Sequence, residues 1–306
     1  MRITVLGSAA GGGFPQWNCN CRNCAGVRAG GLRSKARTQS SIFIRSDDSA
    51  DGVLFNASPD ILEQIRSNLI MQPARAQRDT AIAGVVLMDG QVDHSTGLFM
   101  LRERGTKLPL WCTDPVHEDL TQGNPVLRVL EHFCGVKRER IALDGSAFEV
   151  PGVAGIFMRA IPLSSKAAPY SPHRENPVSG DNIGMLITDV SKGKTLFYAP
   201  GLGDITPPVF EAMHSADCVM VDGTFWTDDE MIGLGFSKKT ARSIGHLPQS
   251  GAGGMVEWLA KLPVKTRRTL IHINNTNPIL NEDSAERAVL TKAGIEVCED
   301  KMEIAL

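Results

Sequence analysis

Short apolar runs recur along the chain, separated by polar or glycine-containing turns. Eleven of these runs have the length and composition of β-strands: ITVLG, SSIFIRS, GVLFNAS, AGVVLMD, LPLWCTD, GIFMRAIPL, MLITDV, TLFYAPG, CVMVDGT, RTLIHIN and IEVCED. Helix-like spacing occurs in PDILEQIRSNLIMQ, EDLTQGNPVLRVLEHF, PPVFEAMHSA, SGAGGMVEWLAKL and DSAERAVLTKAG. Strands precede helices in each half, which predicts a sandwich of two mixed β-sheets with helices outside. We expect loops at the strand ends to converge on a site.

The composition narrows the class of protein. The 306 residues are 42% hydrophobic and 22% charged, which is typical of a packed core and not of disorder. A formal net charge of -2 gives no electrostatic footprint for nucleic acid or an anionic membrane. The sequence shows neither a secretory signal nor an apolar run long enough to span a bilayer. We therefore expect a cytoplasmic protein without membrane insertion, folded as a single domain over residues 1–306.

Three of the seven cysteines are clustered in the run NCNCRNC. Cys19, Cys21 and Cys24 are too close together to pair sensibly as disulfides, but they can wrap one tetrahedral Zn²⁺. Glycines and Pro15 upstream indicate a loop, which we place at about residues 14–26. The alternative is three chance cysteines in a reducing compartment. A fourth zinc ligand must come from elsewhere, and a closed site would be structural.

A second candidate metal site lies in MDGQVDHSTG, residues 88–97, directly after the apolar run AIAGVVL. Asp93 and His94 lie in this loop, and His272 ends another predicted strand. One carboxylate and two imidazoles form a facial triad with open positions, which is characteristic of non-haem Fe(II) oxygen chemistry. Each residue alone has a plain alternative, such as a helix cap or a histidine bonded to nearby backbone. Taken together, the three favour a metal.

The segment MDGQVDH resembles the H-x-H-x-D-H loop of the metallo-β-lactamase superfamily, with Asp89 and Gln91 replacing the first two histidines. Within that superfamily, nearly the whole chain is similar to a family of pyrroloquinoline quinone (PQQ) biosynthesis proteins. The motifs that carry this resemblance are GSAAGGGFPQWNCNCRNC, NASPDI, DHSTGL, YSPHR, FYAPGLG, VDGTFW, GHLPQSG and HINNTNPIL. The resemblance implies an α/β fold, an αββα sandwich of two mixed sheets flanked by helices, with metals at the sheet edges.

The resemblance also relates residues of this chain to the two metal positions of hydrolytic superfamily members. The first position is nearly lost, because Asp89 and Gln91 replace its histidine pair. Ser164 or Ser165 stands near the place of its third histidine, and Pro200 falls about where an aspartate would bridge the ions. The second position keeps the aspartate and the two histidines described above. The resemblance therefore implies that a two-metal hydrolase site has become a one-metal site.

Related phosphodiesterases carry the same cysteine zinc site and close it with a histidine three residues beyond the last active-site histidine. In this chain that position is Asn275. The sequence therefore leaves the fourth zinc ligand open: Asn275, a more distant histidine and water are all candidates.

Other residues match superfamily positions near the substrate. His246 matches a position that points at substrate, where it would act as an acid or base or orient a phenol. Asp89 and Gln91 would hydrogen-bond metal-bound water or a metal ligand. Arg174 suits an amino-acid carboxylate through a bidentate pair, and a salt bridge within its loop is an equal alternative. The expected substrate-binding residues are Ser165, His173, Arg174 and Asp222.

The activity that the resemblance implies is iron- and O₂-dependent hydroxylation of the tyrosine ring of a Glu–Tyr precursor. It would use a structural Zn²⁺ and an active-site Fe²⁺. The implied partners are the PQQ precursor and other PQQ biosynthesis proteins, and a homodimer is a reasonable expectation. A non-catalytic carrier that takes PQQ or its precursor toward the periplasm is the main alternative. A residual zinc hydrolase is the third.

Overall fold

The structure, a computed structural model, describes residues 1–47 and 49–306. The strands are β1 (Arg2–Gly7), β2 (Ser41–Arg45), β3 (Gly52–Phe55), β4 (Ile82–Val86), β5 (Leu108–Cys112), β6 (Val136–Arg140), β7 (Ile156–Pro162), β8 (Ile183–Asp189), β9 (Lys194–Ala199), β10 (Cys218–Asp222), β11 (Arg267–Ile271), β12 (Ile295–Val297) and β13 (Glu303–Ala305). The α-helices are α1 (Arg22–Arg28), α2 (Ile61–Ser67), α3 (Val92–Ser95), α4 (Asp114–Glu118), α5 (Val126–Leu130), α6 (Pro207–Ser215), α7 (Glu230–Gly233), α8 (Met255–Ala260) and α9 (Ala285–Lys292). Short 3₁₀ segments occupy Leu69–Met71, Thr96–Leu101, Arg242–Ile244 and Pro278–Leu280.

The strands of the described ranges form two mixed sheets. The first has seven strands in the order β13-β1-β2-β3-β4-β5-β6. It is antiparallel from β13 to β3 and parallel from β3 to β6. The second has six strands in the order β12-β11-β10-β9-β8-β7, antiparallel from β7 to β9 and parallel from β9 to β12. Each run predicted as a strand forms one, whereas β6 and β13, both edge strands, were not predicted.

Alternation along the strands produces the layers. On β2, Ile42 and Ile44 face the core between the two sheets, whereas Phe43 packs outward with the cluster that contains α2, α4 and α5. The outer face of the second sheet packs against α6, α8 and α9. Between the sheets, the rings of Phe55 and Tyr198 meet edge to face with their centroids 5.9 Å apart. This order of layers confirms the predicted αββα sandwich.

One predicted helix is interrupted. The stretch from Glu118 to Phe133 was expected to be a single helix, but α4 ends at Glu118, a π-helical turn occupies Asp119–Gly123, and α5 begins only at Val126. Pro125 has no N–H to donate and disfavours a helical conformation at the preceding residue, which has φ −118° and ψ 95°. No helix in residues 1–47 and 49–306 has the length and apolar character needed to cross a bilayer.

The loops that follow the parallel strands β4, β10 and β11 converge at one edge of the sandwich. Isolated bridges join the two sheets there. Ala9 pairs with both Gln39 and Ile273, and Asp89 pairs with Asn182. Polar side chains from distant parts of the sequence are thereby held in one place.

Candidate metal centre and active-site cavity

Asp93 and His94 lie on α3, and His272 follows β11 directly. Ligand atoms of the three residues lie within 4.8 Å of one another. Asp93 Oδ2 is 3.1 Å from His272 Nε2 and 3.7 Å from His94 Nε2. The fold therefore brings together the carboxylate and the two imidazoles that the sequence predicted, although 179 residues separate Asp93 from His272.

The orientation of His94 fits a metal ion. Its Nδ1 lies 2.8 and 2.9 Å from the two carboxylate oxygens of Asp89, so Nδ1–H donates to that carboxylate. The other ring nitrogen, Nε2, is buried and has no hydrogen-bond partner among the described residues. A buried polar atom without a partner is costly unless an ion or water satisfies it. Nε2 and the neighbouring Asp93 carboxylate therefore suit a metal with open coordination positions.

The charges around Asp93 and His94 also favour a metal ion. Burial favours the neutral form of Asp93, but His94 and His272 hold the pKa of this carboxyl well below its usual range. Burial likewise opposes a charge on His94, yet Asp89 and Asp93 outweigh it and raise the pKa of His94 to about 9. The carboxylates thus attract positive charge to the position between them, where a metal cation would replace the proton of His94.

Thr224, in the loop after β10, connects the second histidine to the site. Its Oγ1 lies 2.5 Å from Asp222 Oδ1, 2.8 Å from His272 Nδ1 and 3.1 Å from His246 Nδ1. The hydroxyl donates to Asp222 and accepts from His272 Nδ1–H, which leaves His272 Nε2 free to face Asp93. The sequence did not identify Thr224, because its role depends on contacts among three separate loops.

Asp222 orients His246. Its Oδ2 lies 2.6 Å from His246 Nδ1 and accepts the Leu202 N–H at 2.9 Å. Burial opposes a charge on His246, but Asp222 raises the pKa of its imidazole. The rings of His246 and His272 stack with centroids 5.5 Å apart. Asp222, His246 and His272 also offer ligand atoms within 4.8 Å of one another, but the hydrogen bonds above already satisfy the two Nδ1 atoms.

A cavity of about 390 Å³ opens over these side chains. The predicted residues that line it are Asp89, Gln91, Asp93, His94, Ser165, Arg174, His246 and His272. His173 and Asp222, which were expected to bind substrate, are not among them. His173 Nε2 lies 3.0 Å from Glu118 Oε2, and Asp222 is fully buried behind His246. Asp222 is thus placed to position His246, whereas His173 contacts Glu118 and does not line the cavity.

The cysteine cluster converges at the start of α1. Sulfur atoms of Cys19, Cys21 and Cys24 lie within 4.8 Å of one another, and Asn275 Nδ2 lies 3.1, 3.8 and 3.4 Å from them, respectively. Burial raises the pKa of the Cys21 thiol to about 11, whereas hydrogen bonds from Cys21, Cys24 and Asn275 outweigh burial and lower the pKa of Cys19. Thiolates this close together repel one another, and a bound cation would offset that repulsion. Rotation of the Asn275 side-chain amide by about 180° would exchange its nitrogen and oxygen. The oxygen would then face the three sulfur atoms and could serve as the fourth ligand of a tetrahedral zinc ion.

Comparisons with known proteins agree with this architecture. The beta-lactamase superfamily domain matches residues 52–273. Coenzyme PQQ synthesis protein B (PqqB) of Azoarcus sp. (strain BH72) is 60% identical over 100% of both chains. The protein of the same name from Methylobacillus flagellatus is 58% identical, again over 100% of both. This chain belongs to the PqqB family.

Solved structures extend the comparison. The crystal structure of Zn²⁺-bound PqqB from Methylobacterium extorquens matches with a TM-score of 0.91, at 37% identity over 100% of both chains. A diphosphatase of the PhnP family shares the fold with a TM-score of 0.69, at 19% identity over 100% of this chain and 97% of the other. The PqqB resemblance and the fold predicted from the sequence are therefore confirmed.

In this PqqB-family chain, residues at the first metal position of hydrolytic superfamily members are engaged in other contacts. Asp89 holds His94, Gln91 Nε2 donates to the Lys166 carbonyl at 3.3 Å, and Ser165 Oγ donates to the Gly245 carbonyl at 2.8 Å. Pro200 has no ligand atom in its side chain. The Asp89 carboxylate, the Gln91 amide nitrogen and the Ser165 hydroxyl thus all have protein partners.

Proposed function

We propose that this PqqB-family chain is a metal-dependent enzyme of PQQ biosynthesis, specifically a non-haem, iron- and O₂-dependent hydroxylase. Its substrate would be the tyrosine ring of a Glu–Tyr precursor, exchanged with other proteins of PQQ biosynthesis. The observation that carries this proposal is the Asp93–His94–His272 triad beside a first metal position whose residues are engaged elsewhere. A cytoplasmic location, a single domain and a homodimer remain predictions from the sequence.

Fe(II) bound to the triad would supply O₂ activation next to the substrate ring. Asp89 and Thr224 would keep the two imidazoles in their ligating orientation. His246 Nε2 would accept the proton of the substrate phenol, and Asp222 would stabilise the imidazolium that results. Loss of that proton makes the ring more electron-rich beside its oxygen, which favours hydroxylation at that position.

Hydrolysis is disfavoured by the same geometry. Two-metal hydrolases hold an attacking hydroxide between their ions. Asp89, which takes the place of a histidine ligand at the first position, is committed to His94. A single ion would leave such a hydroxide without its second anchor.

The test is a single-turnover assay. Protein loaded anaerobically with Fe(II) would receive the Glu–Tyr dipeptide, a reductant and then O₂, and the product would be weighed by mass spectrometry. We expect the dipeptide to gain one oxygen atom on its ring. The His272→Ala variant should lose both bound iron and product, whereas His132→Ala, which removes an exposed histidine, should retain both.

The other outcomes separate the alternatives. Dipeptide or PQQ binding without product, and without any dependence on iron, would point to a carrier. Hydrolysis of esters or phosphodiesters with added zinc and without O₂ would point to a hydrolase.

A further inference from the structure

Three cationic side chains line the active-site cavity: Lys166 and Arg174 from the loop between β7 and β8, and Lys239 from the segment that follows α7. We refer to these three residues as the cationic rim. The sequence pattern indicated Arg174 alone, with a salt bridge within its loop as an equal alternative. The two lysines were not identified.

The cationic rim has no acidic partner within the ranges 1–47 and 49–306. Ion pairs with a nitrogen–oxygen distance of at most 4.0 Å form elsewhere in the structure. None of them includes Lys166, Arg174 or Lys239. Arg75, by contrast, contacts both Asp51 and Asp79. A salt bridge within the loop of Arg174 is therefore not formed.

The carboxylates deeper in the cavity are already committed to imidazoles. Asp89 contacts His94, and Asp93 contacts His272. The carboxylates at the cavity floor thus contact imidazoles and not the rim, whereas the cationic side chains of the rim have no acidic partner among the described residues. A ligand with several carboxylates would complement that arrangement.

The backbone of Lys166 and the side chain of Arg174 are held in place before any ligand arrives. Gln91 Nε2 donates to the Lys166 carbonyl at 3.3 Å, and a Cβ on Gly245 would lie only 2.8 Å from the Lys166 backbone nitrogen. Gly245 has φ +98°, which glycine tolerates best. The Arg174 guanidinium donates to the Ala167 carbonyl. Prior ordering of such groups lowers the entropic cost of binding a ligand.

We propose that the cationic rim is a carboxylate-binding subsite, an assignment that rests on the function proposed above. It would bind the carboxylates of an acidic amino-acid or dipeptide substrate, so that the phenol ring points down toward His246 and the triad. Arg174 would form a bidentate pair with one carboxylate, and the lysines would neutralise the others as point charges. Gln91 would then act as a positioning residue through the Lys166 segment.

The test measures binding without turnover. Fe(II)-loaded protein under strictly anaerobic conditions would be titrated calorimetrically with the Glu–Tyr dipeptide and with its fully amidated form, which has no carboxylate. Wild type should bind the free acid at least tenfold more tightly than the amide. Arg174→Gln and Lys239→Gln should each reduce that ratio several-fold, and Lys239→Arg should restore it.

Lys238→Gln is the matched control, because it removes the same charge from the neighbouring residue, which does not line the cavity. Its ratio should equal that of wild type. Equal affinity for acid and amide in wild type, no binding of either, or an equal loss in Lys238→Gln would each overturn the subsite. If the protein binds the free acid selectively but inserts no oxygen after O₂ is added, the subsite is supported and the proposed hydroxylase function is contradicted.

Discussion

Single side chains behind the two histidines determine which ring nitrogen faces the candidate ion. Asp89 accepts a hydrogen bond from His94 Nδ1–H, and Thr224 accepts one from His272 Nδ1–H. The two partners differ in charge, because one is a carboxylate and the other a hydroxyl that is itself bonded to Asp222. Partners of this kind typically change metal affinity about 10–100-fold when they are removed.

Replacement of Thr224 should test whether its hydroxyl orients His272 toward the metal. Thr224→Val keeps the shape but removes the hydroxyl, so His272 loses the acceptor that fixes its tautomer. We expect Fe(II) affinity to fall about 10-fold or more, whereas Thr224→Ser should stay close to wild type. Anaerobic competition with a coloured Fe(II) chelator measures the affinity.

Thr106→Val, at an exposed position outside the cavity, controls for the loss of a hydroxyl. Unchanged iron affinity in Thr224→Val would show that Thr224 does not hold His272 for the metal.

The sequence was sufficient to find the three candidate ligands, because each stands at the end of an apolar run. It could not reveal Thr224, since a threonine becomes informative only when the loops that surround it are in place. It also placed Asp222 and His173 with the substrate. In the fold, Asp222 lies behind His246 and His173 lies beside Glu118.

Among the elements, α7 is joined by hydrogen bonds to the segment that follows His272. Glu230, its first residue, accepts the Trp226 N–H at 2.7 Å and the hydroxyl of Thr276. Asn274 Nδ2 lies 3.6 Å from Met231 Sδ. Burial raises the pKa of Glu230 to about 7, although the hydrogen bonds from Thr276 and the backbone oppose that rise.

This raised pKa predicts a pH-dependent stability. The folded chain holds the Glu230 proton more tightly than the unfolded chain, whose pKa is about 4.3. The contribution of Glu230 is therefore fully present below that value and is lost as pH rises through about 7. Relative to Glu230→Gln, the wild-type free energy of unfolding should fall over this range, by at most about 4 kcal/mol.

Urea denaturation of both proteins at a series of pH values measures the difference. Glu211→Gln, which removes an exposed carboxyl on α6, should follow the wild-type curve. Parallel curves for wild type and Glu230→Gln would contradict the prediction.

The two strands that the sequence pattern missed, β6 and β13, lie at the edges of the first sheet and have weak apolar patterns. β6 is an edge strand with charged residues at Lys137, Arg138, Glu139 and Arg140, so it has no continuous apolar face. β13 has only three residues. Central strands, buried on both faces, leave a long apolar signal and were all predicted. The break between α4 and α5 was missed because the apolar spacing continues across Pro125.

The molecule as a whole depends on the apolar layer between its sheets. Phe55 of the first sheet and Tyr198 of the second are both fully buried and touch across that layer. Asp89 follows β4 and His272 follows β11, so the two sheets each carry part of the triad environment. Separation of the sheets would therefore separate the ligands.

Removal of an aromatic ring from this layer should lower the stability of the fold substantially. We expect Phe55→Ala to lower the free energy of unfolding by about 3–5 kcal/mol, from lost burial and the cavity left behind. Phe236→Ala truncates a phenylalanine that is 52% exposed and should cost less than about 1 kcal/mol. Guanidinium denaturation measures both. A similar small loss in the two variants would show that the sheets repack around the void.

The contact between Asp89 and His94 has a consequence for any attempt to engineer a second ion into the site. Asp89→His would introduce a new imidazole but would also remove the carboxylate that accepts the His94 Nδ1–H. The first substitution would thus weaken the triad before changes at Gln91 and Ser165 could add further ligands. A redesign would therefore need a replacement acceptor for His94 from the start.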